Sequence, residues 1–138
     1  MNKTLGRFSL YAVAAIALAF GLATIASGGR VLFGDEVARQ AAGNYMPFVV
    51  WFNFLAGFAY VTAAAGLATR QPWAPSLALA IATATALVFL VFGLFILAGT
   101  PFESRTAAAM TLRTALWTGI AWFARRRVDV ALQGWRWA

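Results

Sequence analysis

Four apolar stretches of about twenty residues, separated by connectors that carry charge, proline or glycine, constrain this chain more than any other feature. A helix rises about 1.5 Å per residue and the hydrocarbon core of a bilayer is about 30 Å thick, so each stretch is long enough to cross. A span in hydrocarbon must satisfy its backbone polar groups internally, which makes each of them a helix. The spans are expected at 8–27, 47–69, 75–98 and 106–124. They use nearly the whole chain, so one domain over 1–138 is expected: an all-α integral membrane protein, an antiparallel four-helix bundle.

Composition agrees with a bilayer as solvent. Of 138 residues, 62% are hydrophobic and 11% charged, against about 25% charged in a soluble domain. The formal charge of +7 does not indicate a nucleic-acid partner, because the basic residues sit at the ends of apolar spans and form no basic face interleaved with aromatics. Thr24 and Ala26 occupy the places of a small-residue cleavage site, but the preceding apolar run exceeds the 7 to 15 residues of a signal peptide, so a retained first span is expected.

The connectors fix the arrangement. Pro47 suits a helix start, where its missing N–H costs nothing, and Arg70 closes that helix. The short Gln71-Pro72-Trp73-Ala74-Pro75 turn forces the second and third spans to be antiparallel neighbours. In the first loop, Asp35 is placed to cap a short helix through Ala41 that Gly43 ends.

Lys and Arg in the flanks set orientation. Lys3, Arg7, Arg70, Arg125, Arg126, Arg127 and Arg136 fall on one side, and Arg30, Arg39 and Arg105 on the other. Both termini are therefore expected in the cytoplasm, with the chain multi-pass in a bacterial inner (plasma) membrane. After the last span, Val128, Ala131, Leu132 and Trp135 share one helical face opposite Arg125, Asp129, Gln133 and Arg136. Residues 125–138 are expected to form a separate interfacial helix, with Arg125, Arg126 and Arg127 on anionic headgroups and Trp135 and Trp137 as anchors.

What the chain lacks narrows its chemistry. It has no Cys and no His, which removes disulfides, thiol redox steps, imidazole metal ligands and His-ligated haem. No metal site and no catalytic residue is expected. The four acids, Asp35, Glu36, Glu103 and Asp129, all read as loop or tail residues, so no carboxylate stands in a span to carry protons.

Two polar residues do interrupt spans. A charge at the centre of an inserted helix costs about 2.5 to 3.5 kcal/mol, so Arg113 needs a reason. Asn53 follows Pro47 by six residues and Arg113 follows Thr106 by seven, which places both roughly 9 to 10 Å below the outer end. The Asn53 carbonyl, Tyr45, or a loop acid such as Glu103 can offer acceptors to the guanidinium. Three readings stay open: a clamp between helices, an arginine snorkelling outward, or a site for an anion or polar headgroup.

Small residues recur every four positions at Ala15, Ala19 and Ala23, at Ala78, Ala82 and Ala86, and at Thr111, Ala115 and Gly119, a spacing that lets helices approach closely. Packing within the bundle is the first expectation, contact with another subunit the second. Trp51, Phe89, Phe92 and Phe95 are candidates to line an apolar cleft for a lipid tail or quinone; no other cofactor is expected.

The stretch Asn53 to Pro75, NFLAGFAYVTAAAGLATRQPWAP, resembles the second and third helices of DoxX-like small four-helix bacterial inner-membrane proteins, with Gly57, Gly66 and Arg70 fitting the layout. Asn53 stands where that family tends to have an acid. The resemblance implies topology more than activity. Two functions are carried forward: a non-catalytic accessory or assembly subunit of a membrane complex, or a homo-oligomer; and binding or transport of a lipid, quinone or small anion in the outer half near Asn53 and Arg113. Membrane lipids, partner subunits and a second copy are the expected partners.

Overall fold

The computed structural model describes residues 3–136, with side chains placed from 7 to 127. Five helices follow one another: α1 (Lys3–Phe33), α2 (Glu36–Ala42), α3 (Pro47–Ala68), α4 (Ala74–Leu97) and α5 (Ser104–Arg136). Segments within α1, α3 and α4 are long and apolar enough to cross a membrane.

The last expected span, 106–124, lies inside α5 but is not among those three. Arg113 interrupts it, and Thr106, Thr111, Thr114 and Thr118 dilute its apolar surface. A second difference follows at its end. No break separates a span from an interfacial helix at 125, and α5 continues through the arginine run for 33 residues. Between Arg125 and Gln133 there is no glycine or proline to stop a helix once it has started. The side chains of the face through Val128, Ala131, Leu132 and Trp135 lie outside the described residues, as does Trp137. α1 also exceeds its expected bounds, with 31 residues, or about 46 Å.

Connectors behave as their chemistry dictates. Asp35 caps α2, its carboxylate accepting from Ala38 N at 3.0 Å, and Gly43 ends the helix at φ +70°. At the α3–α4 turn, Arg70 adopts φ 57°, and the Trp73 ring lies so close to Gly66 that a Cβ there would meet it at 2.7 Å.

Packing joins two antiparallel pairs. α1 lies along α3 over most of its length and α4 along α5, while α3 against α4 joins the pairs. The α1 face that meets α3 is Leu10, Ala14, Ala17, Gly21, Thr24 and Gly28, alternating steps of four and three. This corrects the expected stripe, since Ala15, Ala19 and Ala23 face outward, as do Thr111, Ala115 and Gly119 of α5. Ala78 and Ala82 are buried as expected, and Ala86 is exposed. One apolar cluster runs from Leu10 and Leu67 to Trp117 and Ala124. A second holds Met46, Val49, Phe92 and Met110 nearer the loops of α2 and Glu103.

Candidate functional site

Beside that second cluster lies a cavity of about 250 Å³, partly open to the exterior. α1 supplies Thr24, Ser27, Gly28 and Val31, and α3 supplies Val49, Val50 and Asn53. α5 supplies Arg105, Thr106, Ala109 and Arg113, with Ala42, Tyr45, Met46 and Glu103 coming from the end of α2 and the loops. Asn53, Arg113, Tyr45 and Glu103, grouped from the sequence as one polar cluster, all line this space.

Local sequence explains how they meet. Asn53 stands six residues inside α3, where Pro47 starts the helix, and Arg113 nine residues inside α5, which begins two residues before the expected start at Thr106. Gly28 lines the α1 wall, and a Cβ there would meet Phe54 Cβ at 3.0 Å, so the glycine allows α1 to press against α3 beside the cavity.

Three hydrogen bonds fasten α2 and its following loop near the mouth. Arg39 Nε donates to Val31 O at 3.2 Å, Arg105 Nη2 to Ala41 O at 2.9 Å, and Asn44 N to Glu103 Oε1 at 2.8 Å. Arg105 and Glu103 are thus engaged by backbone groups.

Arg113 is not engaged. Its Nε and Nη1 are buried with no hydrogen-bond partner among the described residues, and so is Asn53 Oδ1. The direct clamp between Asn53 and Arg113, one of the three readings open from sequence, is therefore not formed, although both face the same cavity. The guanidinium instead lies 5.6 Å from the centroid of the Phe20 ring, an attraction of about 0.5 to 2 kcal/mol that supplies no acceptor to Nε or Nη1.

Below Arg113 lies a second polar layer that the sequence did not single out. Trp117 is one turn further along α5, and its indole stacks on Tyr60 with centroids 4.7 Å apart. Tyr60 OH and Trp117 Nε1 are buried with no hydrogen-bond partner among the described residues. The buried Thr85 hydroxyl donates to Ile81 O at 2.7 Å, which leaves its oxygen lone pairs free to accept. The signal for this layer was the seven-residue interval from Asn53 to Tyr60 and the four-residue interval from Arg113 to Trp117, which put each pair on one helix face.

The proposed apolar cleft is not assembled. Phe92 is core, packed among Met46, Val49 and Met110, with Phe89 partly buried against the same cluster. Phe95 points outward and pairs with Phe48 at 5.3 Å. Trp51 belongs to a separate outward group with Phe33 and Phe54, at 5.9 and 6.4 Å. A three-residue step turns about 300°, so Phe89, Phe92 and Phe95 wind around α4 and do not share one surface.

At the other end, Arg126 lies over Trp122 at 4.5 Å and Arg127 over Phe123 at 4.9 Å, with Arg125 exposed. Cations backed by flat rings suit a headgroup layer. No protein-family model, curated protein or solved structure matches the chain.

Proposed function

We propose that this is a non-catalytic membrane protein that binds an anion in the outer half of a four-span bundle. The single observation that carries the reading is the Arg113 guanidinium, which faces the cavity with two buried nitrogens lacking acceptors. A buried unpaired donor costs about 1 to 3 kcal/mol and more when charged, and an anion is the ligand that offsets this best. Asn53 adds an amide beside it. The distribution of Lys and Arg supports both termini in the cytoplasm of a bacterial inner membrane, with the cavity toward the outer leaflet. The absence of Cys and His from the chain supports a binding role over a catalytic one.

The test is native mass spectrometry of the full chain purified from its own membranes in a mild uncharged detergent. The expected result is one anionic molecule per chain, retained by the wild type and lost on Arg113→Gln. No retained anion in either protein overturns the reading.

A second reading, an accessory subunit or homo-oligomer, draws support from the outward small-residue stripes of α1 and α5, which leave room for another helix. A stoichiometric partner chain in the same spectrum, without an anion, favours it.

A further inference from the structure

The bundle is not closed evenly. α1 meets α3, α3 meets α4 and α4 meets α5, but α1 and α5 barely approach each other among the described residues. Both nevertheless line the cavity, and the Phe20–Arg113 contact bridges them. No residue of α4 contributes to the lining. The cavity thus lies behind a seam between α1 and α5, and in a bilayer such a seam opens toward lipid as well as toward water.

Size and charge describe the occupant. At about 250 Å³, the cavity falls just below the roughly 300 to 1,000 Å³ of pockets that enclose a whole drug-sized ligand, so it suits a headgroup and excludes acyl chains. Its formal charges are Arg105 and Arg113 against Glu103; the excess is one positive charge. Val31, Met46, Val49, Val50 and Ala109 make much of the wall apolar, which suits the first carbons behind a headgroup better than a fully hydrated ion.

Resting on the anion-binding reading, we infer that the ligand is a singly charged amphiphile whose oxyanion reaches Arg113 through the α1–α5 seam while its tail stays outside. The oxyanion, a phosphodiester, supplies the acceptors that Arg113 Nε and Nη1 lack, and the Asn53 amide contacts it from α3. Water-soluble anions of the same charge have the same head but no tail to hold in the seam.

The experiment titrates the full purified chain, in an uncharged detergent, with four probes: dihexanoyl phosphatidylglycerol, dihexanoyl phosphatidylcholine, glycerophosphoglycerol and inorganic phosphate. Binding is read by native mass spectrometry and by the shift in thermal midpoint. The expected result is that dihexanoyl phosphatidylglycerol binds at least tenfold more tightly than the other three, and that Arg113→Gln removes this preference. Equal binding of glycerophosphoglycerol or phosphate overturns the amphiphile while leaving the anion site standing. Equal binding of the phosphatidylcholine overturns the requirement for net charge. If none of the four binds, both this inference and the anion-binding reading fail. Should Arg113→Gln not fold, the order of the four probes on the wild type decides.

Discussion

The two faces that α1 turns toward the bundle are opposites. Against α3, small residues let the backbones nearly touch: a Cβ on Gly21 would meet Gly57 O at 3.0 Å, and one on Gly57 would meet Ile25 Cγ1 at 2.6 Å. Toward α5, a phenyl ring and a guanidinium stand 5.6 Å apart beside a cavity. Helices in lipid associate by close van der Waals contact, since apolar surface gains little by leaving other apolar surface. The first face therefore holds the fold together. The second gives up such contact and keeps polar atoms unpaired, a pattern found where a binding function is set against stability.

The largest expected effect attacks the closed face. Gly57→Leu places its side chain against Ile25 and against the α1 backbone, where Ile25 N lies 3.2 Å from the first added carbon. Overpacking of this kind costs about 1 to 3 kcal/mol, and with backbone on one side the upper end is expected. Thermal unfolding in detergent reads it as a fall in midpoint of several degrees. An unchanged midpoint would mean that α1 and α3 do not rely on their close approach.

Next in size is Arg113→Leu, and its sign is reversed. Replacing a buried charge that lacks acceptors by an apolar side chain of similar bulk removes a desolvation cost, so the ligand-free protein gains about 1 to 2 kcal/mol. Anion binding is lost in the same variant. Because Asn53 and Arg113 are not bonded to each other, Asn53→Leu combines with it additively in the ligand-free state, and a double-mutant cycle gives a coupling below about 0.5 kcal/mol. A larger coupling would restore the clamp.

The contrast between the two faces also marks what the sequence made legible. Pro47 and the Gln71–Pro75 turn fixed α3 and α4 to within a residue at each end, because proline and a short connector act locally. The Asp35 cap and Gly43 stop were equally local. Asn53, Arg113, Tyr45 and Glu103 could be grouped because a polar residue in an apolar span stands out and depth follows from counting. The face of α1 could not be read, since alanine or glycine occupies 12, 14, 15, 17, 19, 21 and 23 and small residues recur at helical spacing on more than one side. Only the partner helix selects Ala14, Ala17 and Gly21. Tyr60 and Trp117 escaped notice because an aromatic in an apolar run looks like core until its hydroxyl or indole N–H is found without a partner.

A smaller effect on stability separates charge from geometry at the open face. Arg113→Lys keeps the charge, so the midpoint of the ligand-free protein moves little, by less than about 1 kcal/mol in stability. The ammonium is a point donor and loses the planar fork that matches an oxyanion in two places. Binding of dihexanoyl phosphatidylglycerol should weaken about tenfold, the equivalent of roughly 1.4 kcal/mol. Retention of full affinity in Arg113→Lys would reduce the site to simple charge attraction.

The smallest effect is expected at Gly119, on the outward side of α5, and it bears on whether the molecule has a third packing face. A Cβ added there meets nothing within 4 Å among the described residues, in contrast to Gly21 and Gly57 on α1 and α3. Gly119→Ala therefore adds no clash, and helix propensity alone raises stability by up to about 1 kcal/mol. Gly119→Leu is likewise tolerated by the single chain, because the added bulk projects away from its own helices. The two substitutions part company only if Thr111, Ala115 and Gly119 receive a helix from a second copy or another subunit: the alanine is then accommodated, while the leucine separates the helices and dissociates the assembly. Cross-linking in intact membranes followed by sizing in mild detergent distinguishes the cases. Equal oligomeric state in wild type and Gly119→Leu leaves α5 facing lipid on that side, with its functional surface confined to the cavity. A shift to monomer in Gly119→Leu with unchanged dihexanoyl phosphatidylglycerol binding would make the small residues of α5 a joint between chains, independent of the Arg113 site one to two turns away.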